Sequence, residues 1–93
     1  MDVKEVVELA KRHIVEIYAN EQITNVGLEE VDFDGTKSVW SVTIGFSRPW
    51  DEPRNAFAVL AAQGAYTRRT YKMLRVSDKD GKVLSIKNRE PGT

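Results

Sequence analysis

The run Lys37 to Ser47, KSVWSVTIGFS, leaves this chain few folds to choose from. Trp40, Val42, Ile44 and Phe46 recur at every second position, with Ser41, Thr43 and Gly45 between them. In an extended chain alternate side chains share a face, so this alternation of aromatic and β-branched residues predicts a strand with one dry side. Four large apolar groups on one face need a cover. The residues before them supply it.

Val3, Val6, Val7, Ala10, Ile14, Ile17 and Tyr18 repeat at three- and four-residue intervals, which predicts one apolar stripe on an N-terminal helix of about five turns. Asp2 stands where it would cap the first free amides, and Glu5 follows three residues on in a box-like pattern. Lys4–Glu8 and Arg12–Glu16 are four-apart pairs on the wet side, expected to contribute only tenths of a kcal/mol, about 0.3 each. The helix is expected to end near Asn20, because Ile23 and Thr24 favour extended chain.

Val26 to Asp34 reads as a first strand with a phase problem. Val26 and Leu28 share one parity, Val31 and Phe33 the other. A bulge at Glu29–Glu30 would reset the phase; the alternative is a strand that begins only at Glu29. Asp34–Gly35 then predicts the hairpin turn into the second strand. Arg69 to Val76 predicts a third strand with apolar residues on both parities, Tyr71 and Met73 against Leu74 and Val76. Ser77 to Lys82 is a turn, and Val83 to Asn88 a fourth strand expected to point Leu84 and Ile86 inward and Lys87 outward.

Pro49 and Pro53 interrupt the pattern after the second strand, and the alanine-rich stretch 56–65 suits either a short helix or a loop that Gly64 ends. Residues 48–65 are therefore expected to be an irregular connection, and 89–93 a frayed tail. The expectation is one α+β domain over 1–93: an N-terminal helix packed on a four-stranded antiparallel sheet (α-β-β-β-β) with a long connection between strands 2 and 3. Its outer sheet face is expected to be polar, lined by Ser41, Thr43, Lys72, Ser85 and Lys87 or their neighbours.

The ending YKMLRVSDKDGKVLSIKN resembles the closing hairpin of the PepSY-like and cystatin-like small domains, in which a strand, an acidic-Gly turn and a second strand follow a helix. The order of the other elements is similar too. That group includes secreted protease-regulating modules and cytoplasmic immunity-type proteins, and the resemblance implies a helix-over-sheet fold without carrying over any functional residue. Double-stranded-RNA-binding domains share the opening helix and three strands, but they close with a basic helix that has no counterpart here.

Composition bounds the function. At 41% apolar and 30% charged the chain is an ordinary folding sequence, and the absence of cysteine excludes disulfides, thiolate catalysis and thiolate metal sites. The N-terminus lacks the apolar core and small-residue cleavage site of a signal peptide, and no run approaches a membrane span, so a cytoplasmic location and no membrane contact are expected. The net charge of zero is divided. Residues 1–34 hold nine acids against three bases, a formal −6, and residues 35–93 hold five acids against eleven bases, a formal +6. Such a division either orients association or sets an acidic helix and strand beside basic strands in one fold.

No motif identifies a chemistry, and no catalytic residue, cofactor or metal is expected. His13, the only histidine, lies beside Ile14 with Glu16 nearby; it is either an acid–base group without a named partner or a residue at the core's border. Asp78, Asp80 and Gly81 offer too few ligands for calcium. The first expectation is a small non-enzymatic protein-interaction or regulatory domain, with a homodimer among its forms and Trp50, Phe57, Arg69 and Tyr71 as contacts. Trp50 itself either plugs the end of the core or anchors a partner. The alternative is nucleic-acid binding through Arg68, Arg69, Lys72, Arg75, Lys87 and Arg89. Against both stands a solvated face whose bases pair with Glu29, Glu30 and Asp32. An enzyme assembled from distant residues is the third class.

Overall fold

Asp2 starts the helix as its side chain allows: its Oδ1 accepts from the Glu5 amide at 2.8 Å. The structure, a computed structural model, describes residues 1–51 and 69–89. Helix α1 runs over Val3–Ile17 and closes through Tyr18, followed by a 3₁₀ turn at Ala19–Glu21. Gln22 then takes a left-handed φ of 52°, which turns the chain back toward the sheet. Strands β1 (Thr24–Asp34), β2 (Val39–Ser47), β3 (Thr70–Ser77) and β4 (Val83–Asn88) follow in order, with a 3₁₀ turn at Pro49–Asp51 in the long β2–β3 connection. They pair antiparallel as β1-β2-β3-β4, so each strand lies beside its neighbour in sequence. This is the expected α+β fold, one helix on a four-stranded antiparallel sheet. The short helix considered within 56–65, Phe57, Arg68 and most of the tail lie outside the described residues.

The alternation in β2 decides where the core sits. Val42, Ile44 and Phe46 are fully buried with Val6, Ala10 and Ile14 of α1 and with Leu74 and Val76 of β3. Burial of a side chain of that size contributes about 1.5–3 kcal/mol, so this one layer carries most of the apolar stabilisation. Because Val42 pairs with Leu74 and Trp40 with Val76, the two-faced third strand turns Leu74 and Val76 toward the helix. Tyr71 and Met73 go to the other side.

A register shift between Leu28 and Glu30 inserts Glu29 as an extra residue in β1, which puts Leu28, Val31 and Phe33 on the helix side together. The bulge is where the sequence demands it. The strand nevertheless begins at Thr24, with a second irregularity between Thr24 and Gly27, and not at Glu29.

Four expectations are corrected. Val3 and Ile17 are 46% and 51% exposed, because the sheet reaches under only the middle of the stripe; Leu9 packs on the core instead. Leu84 is 53% exposed while Val83 packs inward, since a register shift beside Arg75 and Val76 reverses the phase at the start of β4. Lys72 pairs with Ile44 and therefore belongs to the helix side, where its Nζ meets Asn88 Oδ1. Neither Lys4–Glu8 nor Arg12–Glu16 is among the ion pairs formed by the described residues.

The hairpin after β1 turns at the predicted place by a different device. Asp34 Oδ1 accepts from the amides of Thr36 (2.9 Å) and Lys37 (3.2 Å), and the positive φ falls on Ser38 at 55°. The Ser38 carbonyl accepts from the Asp78 amide at 2.9 Å, tying this hairpin to the next. Trp40 Nε1 donates to Asp78 Oδ1 at 2.9 Å, and the Met1 amino group lies 3.4 Å from the same oxygen. The indole hydrogen bond, aided by that amine, holds the Asp78 carboxyl below its ordinary range.

Candidate interaction surfaces

The outer face of the sheet is built row by row from the strand register. One row runs Glu30, Thr43, Met73, Lys87; the next runs Asp32, Ser41, Arg75, Ser85. Acids therefore stand on β1 and bases on β3 and β4, which is the charge division of the sequence laid across one surface. Two arginines cross it. Arg69 Nη2 lies 3.4 Å from Glu29 Oε1 and donates to the Asn25 carbonyl at 2.8 Å. Arg89 Nη2 lies 3.1 Å from Glu30 Oε2, and its Nη1 is 4.0 Å from Met73 Sδ.

Gly45 lies beneath the first of these crossings. A Cβ there would come 2.7 Å from Glu29 Oε1 and 2.9 Å from Arg69 Nη2. The backbone approach of the Arg69–Glu29 pair thus uses the missing side chain. Thr43 is only 5% exposed on this same face.

Of the sequence-level candidates, Arg69 and Tyr71 come together on this face with Arg75, Lys87 and Arg89. Lys72 does not join them. Arg69 and Arg89 are already ion-paired, and among the described residues Arg75 and Lys87 are the bases of that face outside any ion pair. Beside Arg75 in the register, Ser85 Oγ is buried without a hydrogen-bond partner.

Trp50 stands 61% exposed beyond the end of β2, so it does not plug the core. Arg48 closes that end. Its guanidinium carbon lies 5.3 Å from the Tyr18 ring, 5.7 Å from Phe46 and 5.4 Å from Trp50, and its Nη1 is 3.2 Å from Glu21 Oε1. Tyr18 and Phe46 pack tilted at 5.1 Å. An arginine stem laid over rings covers apolar area while its charge stays paired. The flanking aromatic residues were visible in the sequence, but their convergence on Arg48 joins distant positions and has no local signal.

Two grooves flank α1. Between the helix and β4, Leu9, Arg12, His13, Glu16, Gly81 and Val83 line a depression of about 280 Å³. His13 therefore borders a polar hollow, and the described residues give it no hydrogen-bond partner. Between the helix and β1, Val3, Lys4, Val7, Glu8 and Leu28 line a second depression of about 320 Å³. Its apolar walls are exposed: Val3 by 46% and Leu28 by 42%. Phe33, on the same side of β1, is 41% exposed and packs on Trp40 at 4.7 Å. This second groove was not apparent from the sequence, because it forms where the margin of the helix stripe meets the margin of the sheet.

Among the described residues, no three His, Asp or Glu side chains converge as metal ligands, and no helix is long and apolar enough to cross a membrane. No family model matches the chain, and neither curated proteins nor solved structures show a significant match to it. The likeness to PepSY-like and cystatin-like domains extends to the helix-over-sheet arrangement and to no particular family.

Proposed function

We propose that this chain is a non-enzymatic protein-interaction domain that receives an extended partner segment along the edge of β1. The observation that carries this is the exposed apolar groove of Val3, Val7 and Leu28, continued by Phe33, beside a strand that closes one side of the sheet. An added strand would hydrogen-bond to the backbone of β1. Its alternate side chains would fall into that groove on one face and beside Glu30 and Asp32 on the other. Basic and apolar residues in alternation suit those two faces. The helix-over-sheet order shared with PepSY-like and cystatin-like domains is in keeping with a binding role.

The nucleic-acid reading has less behind it. Arg69 and Arg89 are engaged by carboxylates, and Lys72 lies on the opposite face from Arg75.

A short synthetic peptide alternating lysine and valine tests the proposal, read by backbone amide NMR of the full chain. Shifts confined to Leu28–Asp34 and the start of α1 are expected, with none from a glutamate–valine peptide. Equal response to both peptides, or shifts elsewhere only, would remove it.

A further inference from the structure

We infer that the segment β1 accepts is β4 of a second copy of this chain, so that copies associate head to tail into a continued sheet. This rests on the reading of β1 as the receiving edge and names its partner. Among the described residues the two outermost strands are β1 and β4. They run in opposite directions in the sheet, so a second copy set beside the first in the same orientation brings its β4 antiparallel to β1.

With no offset in register, the rows of one copy continue into those of the next. The chain's own pairing aligns Glu30 with Lys87, Asp32 with Ser85, Val31 with Ile86 and Phe33 with Val83, each across two intervening strands. In the continued sheet these become direct neighbours. Glu30 then faces Lys87, an opposite-charge cross-strand pair, and on the helix side Val31 faces Ile86 and Phe33 faces Val83. Three of these four rows match charge with opposite charge or apolar with apolar; Asp32 faces the hydroxyl of Ser85, and the row beyond Glu30 sets Leu28 beside Asn88. The exposed apolar groups at the two edges, Leu28 and Phe33 on β1 and Leu84 on β4, come to the same junction.

Symmetric alternatives lack this match. Antiparallel pairing of β1 with β1, helix sides together, sets Glu30, Asp32 and Asp34 against one another. Pairing β4 with β4 gathers Lys87 and Arg89 on one side. A contact between two different edges does not close on itself, so it extends rather than stopping at a dimer. Bulges at Glu29 and at Leu84 limit the uninterrupted pairing to Glu30–Asp32 against Ser85–Lys87, with Phe33 and Val83 meeting beyond the second bulge. Such interruptions restrain edge pairing, so the association is weak and rises with concentration.

Sedimentation of the full chain over a concentration series tests this, at low and high salt. The average mass should climb from that of one chain, 10.5 kDa, past that of two, and fall back as salt screens the edges. Glu30→Lys and Lys87→Glu should each stay at one chain, because each sets like charges at the junction. Mixed in equal amounts they should associate again. The lysine introduced in β1 of the first variant then meets the glutamate introduced in β4 of the second, and the unaltered Glu30 and Lys87 meet at the alternate junctions. Circular dichroism of both variants checks that the fold persists.

A single-chain mass at every concentration, a plateau at two chains, or failure of the mixture to associate would each overturn the inference. If the wild type stays single while the lysine–valine peptide still shifts β1, the self-partner alone falls. If the peptide leaves β1 untouched, the edge reading falls with it.

Discussion

The two faces of this sheet are made from the same strands and held by different physics. On the helix side, Val42, Ile44, Phe46, Leu74 and Val76 exclude water against Val6, Ala10 and Ile14. On the other side, two arginines reach carboxylates across intervening strands, with side chains between a fifth and three-fifths exposed. Apolar burial is large and indifferent to salt, whereas ion pairs at that exposure are small and screened. The inner face therefore carries stability. The outer face carries the arrangement of charge.

The sharpest break of that comparison is Leu74→Ala. Leu74 is fully buried between β2 and α1, and removing its isobutyl group should cost about 2–5 kcal/mol by denaturant titration, equally at low and high salt. A loss under 1 kcal/mol (about half the lower bound) would mean that the helix does not seal that face. Gly45→Ala probes the outer face at its closest approach. The new methyl meets Arg69 Nη2, Glu29 Oε1 and, at 3.1 Å, Glu29 Cγ, so both side chains must swing aside, and a cost of about 1 kcal/mol is expected together with loss of the Arg69–Glu29 pair. A larger cost would show that the crossing is rigid.

Arg89→Met keeps an unbranched apolar stem and removes the guanidinium that meets both Glu30 and the Met73 sulfur. The expected change is roughly 0.2–0.5 kcal/mol at low salt and none at high salt. A salt-independent loss would assign Arg89 to packing instead of electrostatics.

Much of the fold is legible in the chain because its signals are local. Trp40 to Phe46 alternate, α1 repeats at helical spacing, and Asp2 and Asp34 stand where free amides need acceptors. Even the bulge at Glu29 is visible, since Val26–Leu28 and Val31–Phe33 cannot otherwise face the same core. Leu84 shows where this fails. Its spacing puts it in phase with Ile86, but a register shift against Arg75 and Val76 breaks that phase, and the shift belongs to the pairing of two strands. The interaction surfaces were less legible still. Trp50 and Tyr71 stood out as aromatic residues, yet the exposed groove is lined by ordinary aliphatic side chains from α1 and β1.

By itself, the sequence determined the element order, the dry face of β2, the cap and phase of α1 and the separation of acidic from basic halves. Each follows from the spacing of residues along a few turns or a few pleats, or from composition. The tertiary structure alone decided that Arg69 and Arg89 are consumed by Glu29 and Glu30, that Arg48 and not Trp50 closes the core, and that β1 and β4 are the outer strands. Those outcomes depend on which residues meet after the chain has turned back on itself several times. Contacts between residues so far apart along the chain leave no periodic trace in the sequence that makes them.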